Sequence, residues 1–237
     1  MALKVFQPLS VMKINLFTCW NSEIFSFAPS FDHKMRNERE QKLRDVTSKR
    51  QLDLVVILEN IHDAHNIGAI IRSCDAVGVQ EVYVLYTDHK LRNSHIELGK
   101  RTSAGARKWV DVFLYRELEP CFARVRQKCA AIYGAHLDPA AKSLYSLDLS
   151  QPVALVFGNE DQGLSEEVLS QTDGNFIIPQ VGMVESLNVS VACAISLYEA
   201  YRQRFQQGQY SGNAIDPALW ESFSQRHAEQ LSGRQPK

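Results

Sequence analysis

A chain of 237 residues with 45% hydrophobic content can bury one substantial core, and a formal net charge of -1 excludes a generally basic nucleic-acid coat. The five cysteines, Cys19, Cys74, Cys121, Cys129 and Cys193, are scattered and form no C-x-x-C pair, which argues against a disulfide framework or a zinc site and suits a reducing cytoplasm. No run reaches the ~18 uninterrupted apolar residues of a membrane-spanning helix, so no membrane association is expected.

Residues 1–34 lack periodicity. They are read as an extension, either disordered or the product of a start assigned upstream of a true start at Met35, and polar breaks at Asn15, Asn21 and Glu23 argue against a signal peptide. Residues 35–51 form a charged, helix-favouring segment in which basic residues outnumber acids. Arg39, Lys42 and Arg50 in this segment are candidate phosphate contacts, although such runs are more often plain solvated helix faces.

From Leu52 to Asn60 a β-branched apolar run predicts a strand covered on both faces. Ile67, Ile70, Ile71, Cys74 and Val77 then recur at helical spacing, with Asn66 as the expected N-cap and Gly78 as a stop. At about 100° per residue, Arg72 falls opposite this apolar stripe, where a ligand or partner could reach it. Strands are expected at Glu81–Tyr86, Trp109–Leu114, Ala130–Leu137 and Pro152–Gly158, with a helix over Glu117–Cys129 and a small-residue turn over Thr102–Ala106. Lys90, Arg92, Lys100, Arg101, Arg107 and Lys108 make a second basic region.

Phe176, Ile177 and Ile178 form a last strand stopped by Pro179, which cannot donate to a ladder. Ser186 and Asn188 precede a helix that is apolar nearly all round (Val189, Val191, Ala192, Ala194, Ile195, Leu197, Tyr198, Tyr201), so sheet should cover one side and a partner subunit is a candidate for the other. Ser186 and Asn188 are natural helix caps in any fold. Pro217–Leu231 reads as a short terminal helix within a tail over 211–237.

The strand–helix alternation predicts an α/β domain with a mostly parallel sheet and helices on both faces. Ligands in such sheets bind at the carboxyl ends of the strands, and three polar, glycine-bearing segments fall there: Asn66–Arg72, Gly158–Ser165 and Pro179–Asn188. The dinucleotide fingerprint, the phosphate loop, the G-x-S-x-G elbow and the H-E-x-x-H metal motif are all absent, and His62, His65 and His136 show no metal-ligand spacing. No metal is expected.

NIGAIIR (Asn66–Arg72), LVFGNEDQGLS (Leu155–Ser165) and IIPQVGMVESLNVSVACAI (Ile177–Ile195) together, in this order, resemble the motifs of the SpoU/TrmH family of the SPOUT superfamily, RNA 2′-O-ribose methyltransferases that use S-adenosylmethionine. RQLDLVVILENIHDAHN and SLYEAYRQRFQQGQY are similar to the branch that methylates the ribose of the D-loop guanosine at tRNA position 18. The resemblance implies a methyltransferase domain over 52–210 with a C-terminal trefoil knot, which the general rule against knotted connections would not suggest. It further implies a homodimer through the last core helix and tRNA as partner.

By motif position it implies Arg72, Asn66, Glu160, Ser186 and Asn188 as catalytic residues and Ala135, Gly158, Ile178 and Leu187 as the cofactor pocket. Arg202 and Arg204 join Arg39, Lys42 and Arg50 as implied RNA contacts. Ala135 departs from the threonine common in relatives. Ribosomal RNA or another tRNA site, a non-catalytic RNA-binding dimer and a small-molecule methyltransferase are the alternatives.

Overall fold

A computed structural model describes the backbone of residues 12–13, 30–88, 105–184, 186–212 and 214–232, with side chains from residue 38 onward, except at the terminal residues of the last helix. Most of the second basic region, including Lys90, Arg92, Lys100 and Arg101, and most of the Thr102–Ala106 turn lie outside the described residues.

Strand β2 (Gln51–Glu59) is the centre of the molecule. Leu54, Val55, Val56, Ile57 and Leu58 are all fully buried, as an uninterrupted β-branched run requires when both faces are covered. It pairs in parallel with β3 (Val79–Leu85) on one side and with β7 (Val153–Phe157) on the other. The full order is β1-β4-β3-β2-β7-β5-β8-β6, where β4 is Asp111–Tyr115, β5 Ala131–Ala135, β6 Lys142–Ser143 and β8 Gly174–Ile177. Every pairing from β4 to β6 is parallel, and the two-residue β1 (Met12–Lys13) adds antiparallel to β4 at the edge.

Alternate side chains of this sheet feed two cores. Leu54, Val56 and Leu58 pack with Ile67, Ile70, Ile71 and Cys74 of helix α2 (Ala64–Ala76) and with Cys193, Leu197 and Ala200 of helix α5 (Val189–Gln206). Val55 and Ile57 face the other way, toward Cys121, Phe122 and Val125 of α3 (Leu118–Arg126) and Val168 of α4 (Glu166–Leu169). Helices therefore cover both faces, as the sequence pattern predicts.

Helix α1 (Ser30–Thr47) begins upstream of Met35 and stops before β2, so the expected 35–51 helix is displaced toward the N-terminus. Helix α6 (Pro217–Ser232) packs on α1, with Arg44 over the Trp220 ring and Trp109 against the buried Phe223. The terminal helix thus covers the core.

Two expected phosphate contacts are structural instead. The Arg50 side chain is buried, bonded to the Val79 carbonyl and paired with Asp75. Arg204 is fully buried and donates to the carbonyls of Leu149 and Gln151, to Gln51 and to Asp53, stitching the end of α5 to the start of β2. A sequence pattern shows a basic residue in a last turn but not the buried carbonyls awaiting it. Arg204→Ala should lower stability by about 3 kcal/mol, the low end for a broken buried pair because Asp53 remains partly hydrated, and urea unfolding reads this directly.

Candidate active site

The chain leaves β2 at Glu59 and turns at Asn60, whose φ of 53° is the left-handed conformation that asparagine tolerates better than most residues. The loop is held by the buried Tyr86 hydroxyl, which donates to the Ile61 carbonyl at 2.9 Å. Burial pushes the Tyr86 phenol above its ordinary range, so it stays a donor. Helix α2 then starts, capped by Asp63, whose carboxylate accepts from the His65 amide.

The cap is therefore Asp63 rather than Asn66. Asn66 sits one turn inside, and its side chain is left for other work. Its Nδ2 donates to Glu160 Oε1, and its Oδ1 accepts from Asn188 Nδ2 at 3.1 Å. Asn188 is the N-cap of α5, its Oδ1 accepting from the Ser190 amide at 2.9 Å and the Ser190 hydroxyl at 2.6 Å. One amide thus serves both the capping and the functional reading.

Asn66, Glu160 and Asn188, one from each polar segment, form a single relay. Arg72 lies on the same helix, exposed, with no hydrogen-bond or ion-pair partner among the described residues. Ser186 is exposed and caps nothing.

Gly158 follows β7 directly, and a Cβ there would lie 2.2 Å from both the carbonyl carbon and oxygen of Gly163 and 2.5 Å from the Leu164 amide. The loop folds back so that the Gly163 amide donates to the Asn159 carbonyl at 2.8 Å, with Gly163 at φ 69°. Ala135 ends β5 beside Phe176 of β8, Ile178 follows β8, and Leu187 precedes α5; all three are half-buried. Gly158, Ala135 and Ile178 stand at the carboxyl ends of the adjoining strands β7, β5 and β8, the end of a parallel sheet at which ligands bind.

Of the implied RNA contacts, Arg39 and Lys42 are exposed on α1, and Arg202 is exposed but forked onto Glu199 at 2.7 and 2.9 Å. Sequence reasoning missed Glu59, Asn60, Asn159 and Ser165, which carry the loops beneath the relay. Glu59 and Asn60 were signalled only by their place at the end of β2, and Asn159 and Ser165 only by lying in the Gly158–Ser165 segment. A cleft of about 310 Å³ lined by Thr47, Arg50, Gln51, Asp53 and Gln209 lies at the amino end of β2, the opposite end from Glu59, and none of Asn66, Arg72, Glu160 and Asn188 lines it. Among the described residues no cluster suits a metal ion, and no helix is long and apolar enough to cross a membrane.

The model of the SpoU rRNA Methylase family matches residues 53–198. The chain belongs to the SpoU methylase family. The matched span contains the relay, Arg72, Ala135, Gly158, Ile178 and Leu187. This SpoU methylase chain is 39% identical over 183 residues to the tRNA (guanosine(18)-2'-O)-methyltransferase of Thermus thermophilus, covering 77% of this chain and 92% of that protein. The crystal structure of the A. aeolicus TrmH/SpoU tRNA modifying enzyme superposes with a TM-score of 0.73 at 33% identity, covering 83% of this chain and 98% of the other. An AdoMet-bound rRNA methyltransferase from Sinorhizobium meliloti superposes with a TM-score of 0.55 at 29% identity, covering 68% of this chain and 59% of the other.

Proposed function

We propose that this protein transfers a methyl group from S-adenosylmethionine to the ribose 2′-hydroxyl of the D-loop guanosine 18 of tRNA. The observation that carries this reading is the Asn188–Asn66–Glu160 relay, which joins all three family segments on the helix that also carries an exposed Arg72. The donor set fits the cofactor: backbone at Gly158 and half-buried Ala135, Ile178 and Leu187 would hold it. When bound, it supplies an electrophilic methyl on a positively charged sulfur.

With the cofactor bound, attack by the ribose oxygen would form an O–C bond as the S–C bond breaks, with the neutral thioether S-adenosylhomocysteine as leaving group and the hydroxyl proton passing to water. Arginine stays protonated, so Arg72 holds the adjacent phosphate and stabilises the developing alkoxide rather than taking the proton. The relay fixes the loops on which Glu160 and Ser186 stand. The methyltransferase domain spans 52–210, with the C-terminal part threaded as a trefoil knot, and the protein works in the cytoplasm. A second copy covers Val191, Tyr198 and Phe205, the large apolar side chains that α5 leaves exposed.

Tritiated methyl transfer to unmodified tRNA, with the product nucleotide mapped, tests the reading. A 2′-O-methylguanosine in the D-loop supports it; methylation of ribosomal RNA alone, or no transfer, overturns it. Beyond Arg72, phosphate contact falls to the exposed Arg39 and Lys42. Replacing both by alanine should weaken tRNA binding several-fold at low salt and reduce the salt slope by about 1 to 2, measured by filter binding over a potassium chloride series.

A further inference from the structure

The carboxylate of Glu59 is 1% exposed at the carboxyl end of β2, and its hydrogen-bond partners among the described residues are all neutral. Ser165 donates to it twice, from its amide at 3.0 Å to Oε2 and from its hydroxyl at 2.6 Å to Oε1. The Thr87 hydroxyl donates at 3.1 Å, and Asn60 Nδ2 approaches at 3.5 Å. A buried carboxylate held only by neutral donors is costly unless each oxygen is filled, and here both are.

What those donors belong to is the point. Ser165 closes the 158–165 loop and caps α4, its hydroxyl accepting from the Val168 amide, while Thr87 lies two residues beyond the end of β3. The neighbouring Asn60 extends the same junction: its Oδ1 accepts from the Thr87 and Asp88 amides at 3.0 and 3.1 Å, and its carbonyl accepts from Asn159 Nδ2 at 3.1 Å. Asn159 Oδ1 in turn accepts from the Asp161 amide at 2.8 Å. Glu160 is thus flanked by anchors at both ends of its loop, Asn159 on one side and Ser165 on the other, and both lead back to Glu59 and Asn60.

We propose that Glu59 is a positioning residue for methyl transfer: with Asn60 it clamps the 158–165 loop to the end of β2, and so sets Glu160 against Asn66 on the helix that carries Arg72. This rests on the function proposed above. Glu59 acts through the loop and touches no substrate. Loss of the charge leaves the side chain its length but forces an amide N–H₂ toward donors that have only a hydrogen to offer, the Ser165 or Asn60 nitrogens.

The test uses the full chain with Glu59→Gln and, as a milder variant that removes a single hydroxyl at a half-exposed site, Thr87→Val. Each is made alone and combined with Glu160→Ala. Two readouts are taken, steady-state kcat and KM for tRNA, and hydrogen exchange followed by mass spectrometry.

Glu59→Gln should lower kcat about 10- to 100-fold with KM for tRNA changed less than about 3-fold, and Thr87→Val should act in the same direction more weakly. Exchange should accelerate over 158–165 while β2, β3 and α2 stay protected. On the Glu160→Ala background the further kcat loss should shrink below about 3-fold, because the two changes share one route.

Losses that multiply in the double variant, exchange rising across the whole core, or unchanged kcat with unchanged loop exchange would each overturn the proposal. If Glu59→Gln does not fold, Thr87→Val decides by the same criteria. If the unaltered protein methylates no tRNA, the function proposed above fails, and loop exchange alone still decides whether Glu59 clamps the loop.

Discussion

Arg72→Ala should reduce kcat for tRNA methylation by about 10²- to 10³-fold while leaving the melting temperature unchanged. The stability half of that expectation follows from placement: Arg72 is exposed on α2, opposite the stripe of Ile67, Ile70, Ile71 and Cys74 that enters the core, and no described residue pairs with it. Nothing in the fold is lost with it. The activity half follows from chemistry, since a guanidinium offers a planar fork matched to a phosphate and a charge matched to an alkoxide.

Arg72→Lys separates the two contributions. A lysine keeps the charge and discards the fork, so activity should recover only in small part, on the order of 10-fold above the alanine variant. Single-turnover transfer with saturating cofactor gives the comparison. Near-complete recovery would show that a point charge suffices and would remove the bidentate role.

Gly158→Ala should be the most disruptive of the alanine substitutions at the nine glycines Gly78, Gly105, Gly134, Gly158, Gly163, Gly174, Gly182, Gly208 and Gly212. Its Cβ would enter backbone, at 2.2 Å from the Gly163 carbonyl group and 2.5 Å from the Leu164 amide, so no rotamer change can relieve it. The loop must open, breaking the Gly163–Asn159 hydrogen bond and pulling Ser165 from Glu59. Overpacking of this kind costs roughly 1–3 kcal/mol or more, which for a chain of this size is a fall in melting temperature of about 2–9 °C. Cofactor affinity, read by calorimetric titration, should fall by more than about 100-fold, because the displaced backbone belongs to the wall proposed above for the cofactor pocket. Gly182 offers a contrast: a Cβ there meets only the Val184 amide, at 4.0 Å, and Gly182→Ala should be tolerated.

The strands were legible because burial on two faces writes long apolar runs, and Leu54–Leu58 is such a run. The site segments were legible because polar residues and glycines at strand ends have few structural reasons to be there. Asn66 shows the limit. An asparagine before an apolar helix reads as a cap, yet Asp63 took that role, and only the fold reveals that Asn66 spans two other segments.

Arg50 and Arg204 show a second limit. Charge in a sequence looks like surface, but a guanidinium with enough buried acceptors is stable inside, and those acceptors are carbonyls that every residue carries. Glu59 was hidden for the same reason, being one acid at the end of an apolar run whose donors lie in loops far along the chain.

The relay has a consequence for how the protein comes into being. Asn66 and Glu160 are separated by 94 positions, and Asn188 and Asn66 by 122. Local folding cannot bring such residues together, and the loop-closure cost is met only when the last core helix docks. A nascent or truncated chain that has already formed β2 and α2 therefore holds Arg72 without its companions. Competence arrives in one late step, coupled to completion of the fold, so incomplete chains do not display a half-built centre for methyl transfer.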